Sequence, residues 1–360
     1  VFFLVYIFLT RRFYRNVSRI LVNNTCMLLA VGLIMLSRLS MFRADPLDKA
    51  LKQFVIICGA AVVSWLIPWI MERFWQIYKF QWIYAAVGIL ALLAVWIGGD
   101  ESFGAQLSFT IGGISIQPSE FVKIGLIITF SWYFMKYQEK VDKVSTVVLA
   151  AALFAVPAML IFEQPNLSTC LVTVVIVLGI VFASGISYRW IVGTLAVVIP
   201  MIATGVYLLL HGMIPFIKEY QAGRILAWFY PEQYGEARYQ QNNSIIAIGS
   251  GQLHGKGLYN TTIASVKNGN FLSEEQTDFI FAVIGEELGF IGCAIVILLF
   301  LLIVYECLMM AARAKDMAGR LLCTGMATLI AFQSFANIAG ATGIFPHTGL
   351  SPPVFSFGSS

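Results

Sequence analysis

The chain has 360 residues, 59% of them hydrophobic and 12% charged, with a mean hydropathy of +0.82. A soluble domain carries about a quarter charged residues, so a water-soluble globule is excluded. The formal net charge of +4 is too small for this length to call for a nucleic-acid partner, and lipid and protein are the expected partners.

Residues 1–10 are apolar but too short to span a bilayer, and Arg11, Arg12, Arg15 and Arg19 follow with no small-residue cleavage site. Half of a helix is expected here, with the chain cut at both ends. Apolar runs able to cross about 30 Å of hydrocarbon come next, near 20–42, 51–71, 78–98, 119–136, 144–162, 168–185, 189–211, 279–305 and 318–342. The chain is therefore predicted to thread a membrane about nine times. With the arginine-rich loop inside, alternate loops stay basic: Arg73 and Lys79, then Lys136, Lys140 and Lys143, then Arg189, then Arg313, Lys315 and Arg320. The short loops 99–118, 163–167 and 343–360 on the other side carry no Lys or Arg, as the positive-inside rule requires. Arg38, Arg43, Lys49 and Lys52 surround an outer turn against that rule, with Arg38 and Lys52 placed to snorkel from helix ends.

The long loop 212–277 then faces outward. Loops of this length are usually functional, and residues 214–228 are amphipathic enough to lie along a membrane surface. Four regions follow: a partial helix and basic loop at 1–19, a membrane region at 20–211, the outer loop 212–277, and the last membrane helices with an outer C-terminal motif at 278–360.

Cys26, Cys58, Cys170, Cys293, Cys307 and Cys323 all lie in apolar stretches without C-x-x-C spacing, which reads as buried thiols and not disulfides or zinc ligands. His211, His254 and His347 lack His-x-x-x-His spacing, which sets a zinc hydrolase site aside. Ionisable groups within spans are costly and mark function by default. Glu120 and Lys123, three apart at a helix start, share a face and can pair; a membrane salt bridge and a ligand contact both remain open. Glu286 and Glu287 lie about two turns into the run at 279–305, near enough to the outer surface to be expected to see water. Adjacent carboxylates cannot both face one partner, so one is expected to be a structural hydrogen-bonder.

Asp278 sits where the outer loop meets that same run. It is either a helix cap or a carboxylate at the membrane–water boundary that takes a proton from a hydroxyl, and spacing does not choose between the two. Residues 249–257 do not form a Walker motif, because Gly251 comes one residue late for G-x-x-x-x-G-K and Gly257 stands in place of Ser or Thr. They read as a bare surface turn, or as a backbone cradle for pyrophosphate carrying Lys256. No Ser-x-x-Lys occurs, which removes penicillin-binding acyl chemistry from this chain. An outward-facing transferase has no cytoplasmic nucleotides and needs a donor with its own leaving group, a need that lipid-linked sugars meet.

Several short motifs run along nearly the whole chain: Ser37-Arg38-Leu39-Ser40 with Lys52-Gln53, Gly104-Ala105-Gln106, Gln117-Pro118-Ser119-Glu120 with Lys123, and Gln164-Pro165. Tyr239-Gln240, Ala247-Ile248-Gly249-Ser250-Gly251 with Gly255-Lys256-Gly257, and Thr277-Asp278-Phe279-Ile280-Phe281 with Glu286-Glu287-Leu288-Gly289 come next. Pro346-His347-Thr348-Gly349 and Ser356-Phe357-Gly358-Ser359 close the series. In this order and spacing they resemble the SEDS family (shape, elongation, division and sporulation), which includes RodA, FtsW and SpoVE.

The resemblance implies an all-α polytopic membrane bundle of about ten helices, with the last one missing here and a partial extra helix at the N-terminus. It implies a peptidoglycan glycosyltransferase of the bacterial cytoplasmic membrane that polymerises lipid II beside a class B penicillin-binding protein. Asp278 would be the general base for attack by the 4-hydroxyl of one lipid II on the anomeric carbon of the polyprenyl-pyrophosphate-linked chain, with inversion. Lys123, Arg224 and Lys256 would stabilise the pyrophosphate, Glu120, Gln240, Glu286, Glu287 and Ser356 would contact substrate, and a divalent cation, Mg or Mn, would assist the leaving group. Leu107-Ser108, Asn166, Ser168 and Gln276 depart from the family's usual residues, the first pair bearing on donor preference. A lipid II flippase is the competing reading, since embedded Glu and Lys and the prolines Pro68, Pro157 and Pro200 also suit alternating access. Against it, hydropathy shows no inverted repeat and Asp278 lies at the rim; a non-catalytic scaffold for a penicillin-binding protein is the third reading.

Overall fold

Within hydrocarbon every backbone N–H and C=O must be bonded inside the protein, so an apolar run crosses as a helix. The computed structural model describes residues 1–40, 48–73, 81–102, 105–111, 114–164, 166–213, 219–258, 265, 269, 271–272, 275–347 and 349–355. After α1 (Phe2–Phe13), each predicted run is helical: α2 (Arg19–Ser40), α3 (Asp48–Arg73), α4 (Gln81–Gly98), α5 (Pro118–Lys136), α6 (Val144–Glu163), α7 (Leu167–Ala183) and α8 (Tyr188–Leu210). The long loop contributes α9 (Glu219–Phe229) and α10 (Gly235–Ser250), and α11 (Ile280–Arg313) and α12 (Met317–Ala341) complete the set. Six of the helices, α2, α3, α6, α8, α11 and α12, are long and apolar enough to cross a membrane on length and composition alone. Among the other predicted spans, α7 has 17 residues, and α5 carries Glu120, Lys123 and Lys136, which lower its hydropathy. The chain is a multi-pass helical membrane protein.

α1 docks on α3 through Trp65, whose Nε1 donates to Thr10 Oγ1 at 2.8 Å and whose ring stacks on Tyr6 with centroids 5.5 Å apart. The loop 99–118, read from the sequence as a short connection between spans, holds strands. It carries an antiparallel meander of β1 (Asp100–Ser102), β2 (Ala105–Ile111) and β3 (Ile114–Ile116), with Asp100 opposite Ser108 and Phe109 opposite Ile116. The signal for β2 is a period of two, polar Gln106, Ser108 and Thr110 alternating with apolar Leu107, Phe109 and Ile111. A hydropathy window long enough to find spans averages that alternation away. The amphipathic stretch at 214–228 is largely α9, with 214–218 outside the described residues.

The run predicted as one span at 279–305 is two helices end to end. At Gly289 the backbone takes φ 67° and ψ −162°, a region that in practice only glycine enters. Residues 280–287 are buried throughout. Such a break frees the last carbonyls of one half and the first N–H groups of the next, and the glycine-rich turn after α10 satisfies both. The N–H groups of Lys256 and Gly257 donate to Glu286 O at 2.8 Å and Glu287 O at 3.0 Å, while Phe290 and Ile291 donate to Gln252 O at 2.8 Å and Leu253 O at 3.2 Å. Residues 249–257 are therefore neither a bare surface turn nor a free phosphate cradle, since the amides of Lys256 and Gly257 are engaged in closing the break. A Cβ at Gly289 would overlap Gly255 N. Gly289→Ala is accordingly expected to destabilise the protein by about 1–3 kcal/mol through backbone strain alone, read as a lower thermal midpoint in detergent.

α12 is the wall shared by both halves of the bundle. Its Ala327 and Ala341 join Leu28 and Met35 of α2 and Val296 and Phe300 of α11 in one buried cluster. Its Leu321, Leu329 and Ala336 join Phe130 of α5, Ala150 of α6 and Ile176 of α7 in a second. After α12 the chain turns back on itself, Phe345 N donating to Ala339 O at 3.1 Å, and Leu350 and Phe355 become buried. This non-helical segment lies against protein, the condition under which irregular backbone is tolerated in a membrane protein.

Candidate active site

A non-helical segment inside the bundle needs donors for its carbonyls, and three amide side chains supply them. Gln241 Nε2 of α10 donates to Gly340 O and Phe345 O, each at 2.8 Å. Asn337 Nδ2 of α12 donates to Leu350 O and to Asp278 O, each at 2.7 Å. One turn earlier on α12, Gln333 Nε2 donates to Ser351 O at 3.0 Å. Together they clamp residues 345–351 against the start of α11. Gln241→Leu leaves two carbonyls without this donor and is expected to cost about 1–3 kcal/mol for each one that stays buried, measured as a fall in thermal midpoint.

Asp278 lies one residue before Phe279, the N-cap of α11, which makes no side-chain cap. Its carboxylate faces the clamped segment: Oδ1 accepts from Ser351 Oγ at 3.4 Å, and Oδ2 stands 3.6 Å from His347 Nε2. The Asp278 and His347 side chains are each 17% exposed, so the pair is largely buried but still reached by solvent. A Cβ added at Gly349 would lie 3.0 Å from Arg224 Nη1 and 3.5 Å from Asp278 Oδ2. A guanidinium from α9 and the carboxylate thus flank the exposed backbone of Gly349.

From Ser351 a polar path runs into the bundle. Gln333, which holds Ser351 O, accepts at Oε1 from Lys123 Nζ at 3.0 Å, and Lys123 Nζ pairs with Glu120 Oε2 at 2.7 Å. The i, i+3 pair expected of α5 is present, with Lys123 1% and Glu120 19% exposed. Lys49 Nζ donates to Gln276 Oε1 at 2.8 Å, two residues before Asp278. That contact places Lys49, one of the four basic residues Arg38, Arg43, Lys49 and Lys52, beside the site; Arg43 lies outside the described residues.

The remaining candidates sit elsewhere. Glu286 and Glu287 are 1% and 2% exposed, so the expectation that they see water is corrected: the break at Gly289 keeps their half-helix wrapped in protein. Lys256 Nζ pairs with Glu286 Oε1 at 2.6 Å, about 12 Å along α11 from Asp278 by helical rise. Gln240 is half-buried on α10, and its neighbour Gln241 makes the clamp. Ser356 lies outside the described residues. The structure thus joins Asp278 to Arg224 and, through Ser351 and Gln333, to Lys123 and Glu120, while Lys256, Glu286 and Glu287 gather at the helix break.

Sequence reading missed His347, Ser351, Gln241, Gln333 and Asn337 as site residues. The last two had a signal, amides spaced i, i+4 in an otherwise apolar span, where a polar group needs a partner. Among the described residues no group of three or more His, Cys, Asp or Glu could hold a metal ion. What remains is a partly exposed carboxylate that accepts from Ser351 Oγ and faces His347, able to accept a hydroxyl proton, beside a cation suited to an anionic leaving group.

The FtsW/RodA/SpoVE family, described as cell cycle protein, matches residues 19–360. The peptidoglycan glycosyltransferase MrdB of Escherichia coli K12 is 30% identical over 349 residues, covering 95% of this chain and 90% of that protein. The probable peptidoglycan glycosyltransferase FtsW of Bacillus subtilis 168 is 33% identical over 287 residues, covering 78% of this chain and 70% of that protein. Two solved structures share the fold. One is a chain of a peptidoglycan synthase complex described as coordinating polymerization and crosslinking, at TM-score 0.75 and 24% identity over 94% of this chain and 91% of that one. The other is the rod shape determining protein RodA of Thermus thermophilus, at TM-score 0.66 and 23% identity over 96% and 92%. With the family matched from α2 to the last residue, the chain is a member of the FtsW/RodA/SpoVE family.

Proposed function

We propose that the chain is a peptidoglycan glycosyltransferase that polymerises lipid II into glycan strands at the outer face of the bacterial cytoplasmic membrane. The observation that carries this reading is Asp278, whose carboxylate accepts from Ser351 Oγ and whose main-chain oxygen accepts from Asn337 Nδ2, partly exposed and flanked by Arg224 across Gly349. Relatives named as peptidoglycan glycosyltransferases support the same chemistry. Asp278 takes the proton of the acceptor 4-hydroxyl as that oxygen bonds to the anomeric carbon. The bond from that carbon to the pyrophosphate breaks on the opposite face, so configuration inverts. Arg224 faces the charge that develops on the departing pyrophosphate, where a fixed cation is worth more than in water. The path from Glu120 through Lys123 and Gln333 keeps Ser351, and with it the Asp278 carboxylate, in one orientation.

Cross-linking needs a second protein, because this chain lacks Ser-x-x-Lys. A class B penicillin-binding protein is the proposed partner, supported by a structural relative that comes from a synthase complex. The test is incubation of purified protein with labelled lipid II in liposomes, with glycan ladders as the expected product. Lipid II crossing the bilayer without polymer would overturn polymerisation in favour of transport. Neither polymer nor crossing, together with faster cross-linking by an added penicillin-binding protein, would make the chain a scaffold.

A further inference from the structure

A general base must be emptied after every cycle, and Asp278 is only 17% exposed. An imidazole stands behind it. His347 Nε2 lies 3.6 Å from Asp278 Oδ2, and the His347 ring stacks on Phe279 with centroids 4.3 Å apart and planes at 26°. Its other edge faces α12, where a Cβ at Gly340 would lie 3.7 Å from Nδ1. The ring is therefore gripped between an aromatic face and a glycine of α12, with one nitrogen directed at the carboxylate. A histidine that served only as packing would need no such aim, and imidazole is the side chain that exchanges a proton near neutrality.

We propose that His347 is a positioning residue that orients the Asp278 carboxylate and then receives its proton, an inference that rests on Asp278 being the base. In the transfer step the acceptor oxygen bonds to the anomeric carbon, the bond to pyrophosphate breaks with its electron pair leaving on the pyrophosphate, and the hydroxyl proton goes to Asp278. That proton then passes from the Asp278 carboxylic acid to His347 Nε2, giving a carboxylate–imidazolium pair, and the imidazolium releases it to water. A separation of 3.6 Å closes to a hydrogen bond with a shift of about half an ångström, and catalytic hydrogen bonds often tighten only when substrate is bound.

Among the described residues, charged groups beside the pair include Asp278 itself, from the loop before α11, Arg224 of α9, whose guanidinium reaches the same Gly349 backbone, and Lys49 of α3, which holds Gln276 two residues before Asp278. From α12 the ring meets Gly340, and the Lys123–Glu120 pair of α5 connects to Asp278 through Gln333 and Ser351.

The test is steady-state polymerisation of labelled lipid II by the purified full chain at a series of pH values, comparing wild type, His347→Gln, His347→Ala and Asp278→Asn. His347→Gln keeps a hydrogen-bonding group but cannot take a proton. It is expected to lower kcat about tenfold, to leave KM within about twofold, and to change the shape of the kcat profile with pH. Added imidazole is expected to restore kcat to His347→Ala. Wild-type kcat and an unchanged pH profile in His347→Gln, beside an inactive Asp278→Asn, would overturn the role of His347 and leave that of Asp278 standing. A fully active Asp278→Asn would overturn the base itself. Should the His347 variants fail to fold, NMR titration of labelled His347 in wild type and in Asp278→Asn reads the pair without turnover. A midpoint that moves between the two supports the coupling, and identical midpoints overturn it.

Discussion

Asp278→Asn is expected to lower kcat for glycan polymerisation by about 10³-fold, within the range that a positioned acid or base supplies. The substitution is close to isosteric. The main-chain oxygen of residue 278 keeps its bond from Asn337 Nδ2, and an amide oxygen still accepts from Ser351 Oγ. What is lost is the ability to take a proton. Because that interaction exists only in the transition state, kcat and kcat/KM should fall together while KM holds. A thermal midpoint equal to wild type, measured beside the rate, separates lost chemistry from lost fold. A polymerisation rate within about twofold of wild type would sink the assignment of Asp278 as the base.

The second large effect falls on stability. Lys123 is 1% exposed, and its ammonium is held by Glu120 at 2.7 Å and by Gln333 at 3.0 Å. Glu120→Gln leaves a buried positive charge without its counter-charge, a change that typically costs about 3–5 kcal/mol. Glu120→Gln combined with Lys123→Met removes both charges and is expected to be milder than Glu120→Gln alone, since replacing a buried ion pair by apolar groups is often close to neutral. A double-mutant cycle on thermal or denaturant stability reads the coupling directly. Additive effects of the two single substitutions would show that the pair carries no coupling. The double variant also loses the Lys123 donor to Gln333, so Ser351 and Asp278 are held less firmly. It is expected to regain stability without regaining full activity.

Features that depend on residue type averaged along the chain were legible in the sequence. All the apolar runs became helices, because a backbone in hydrocarbon has no other way to satisfy itself within one segment. The Glu120–Lys123 pair was legible because three residues on a helix bring two side chains to one face whatever surrounds them. Asp278 stood out as a carboxylate at a loop–helix junction, although as a cap and as a base it looked the same. Its direction, toward Ser351 and His347, tells against the cap of α11, and the base is the reading proposed for it.

What stayed hidden depends on a single dihedral or on contacts between distant segments. Hydropathy counts Gly289 as one more small residue in an apolar run, and nothing local reports that its φ of 67° breaks α11. The glycine-rich turn at 249–257 looked like a surface loop because its partners, the freed carbonyls of Glu286 and Glu287, exist only once that break is made. Gln333 and Asn337 were visible as amides in an apolar helix, but the backbone they hold lies beyond the end of their own helix.

By itself the sequence determined a polytopic helical bundle, its order of spans, the shared face of Glu120 and Lys123 and a carboxylate at a loop–helix junction, because each follows from composition, periodicity or spacing within one segment. The tertiary structure alone decided that α11 is broken, that residues 345–351 fold back into the bundle, and that Asp278 meets His347, Arg224 and the path to Lys123. Those meetings join side chains from separate helices, and their cause is packing around α12, which no single stretch of the chain encodes.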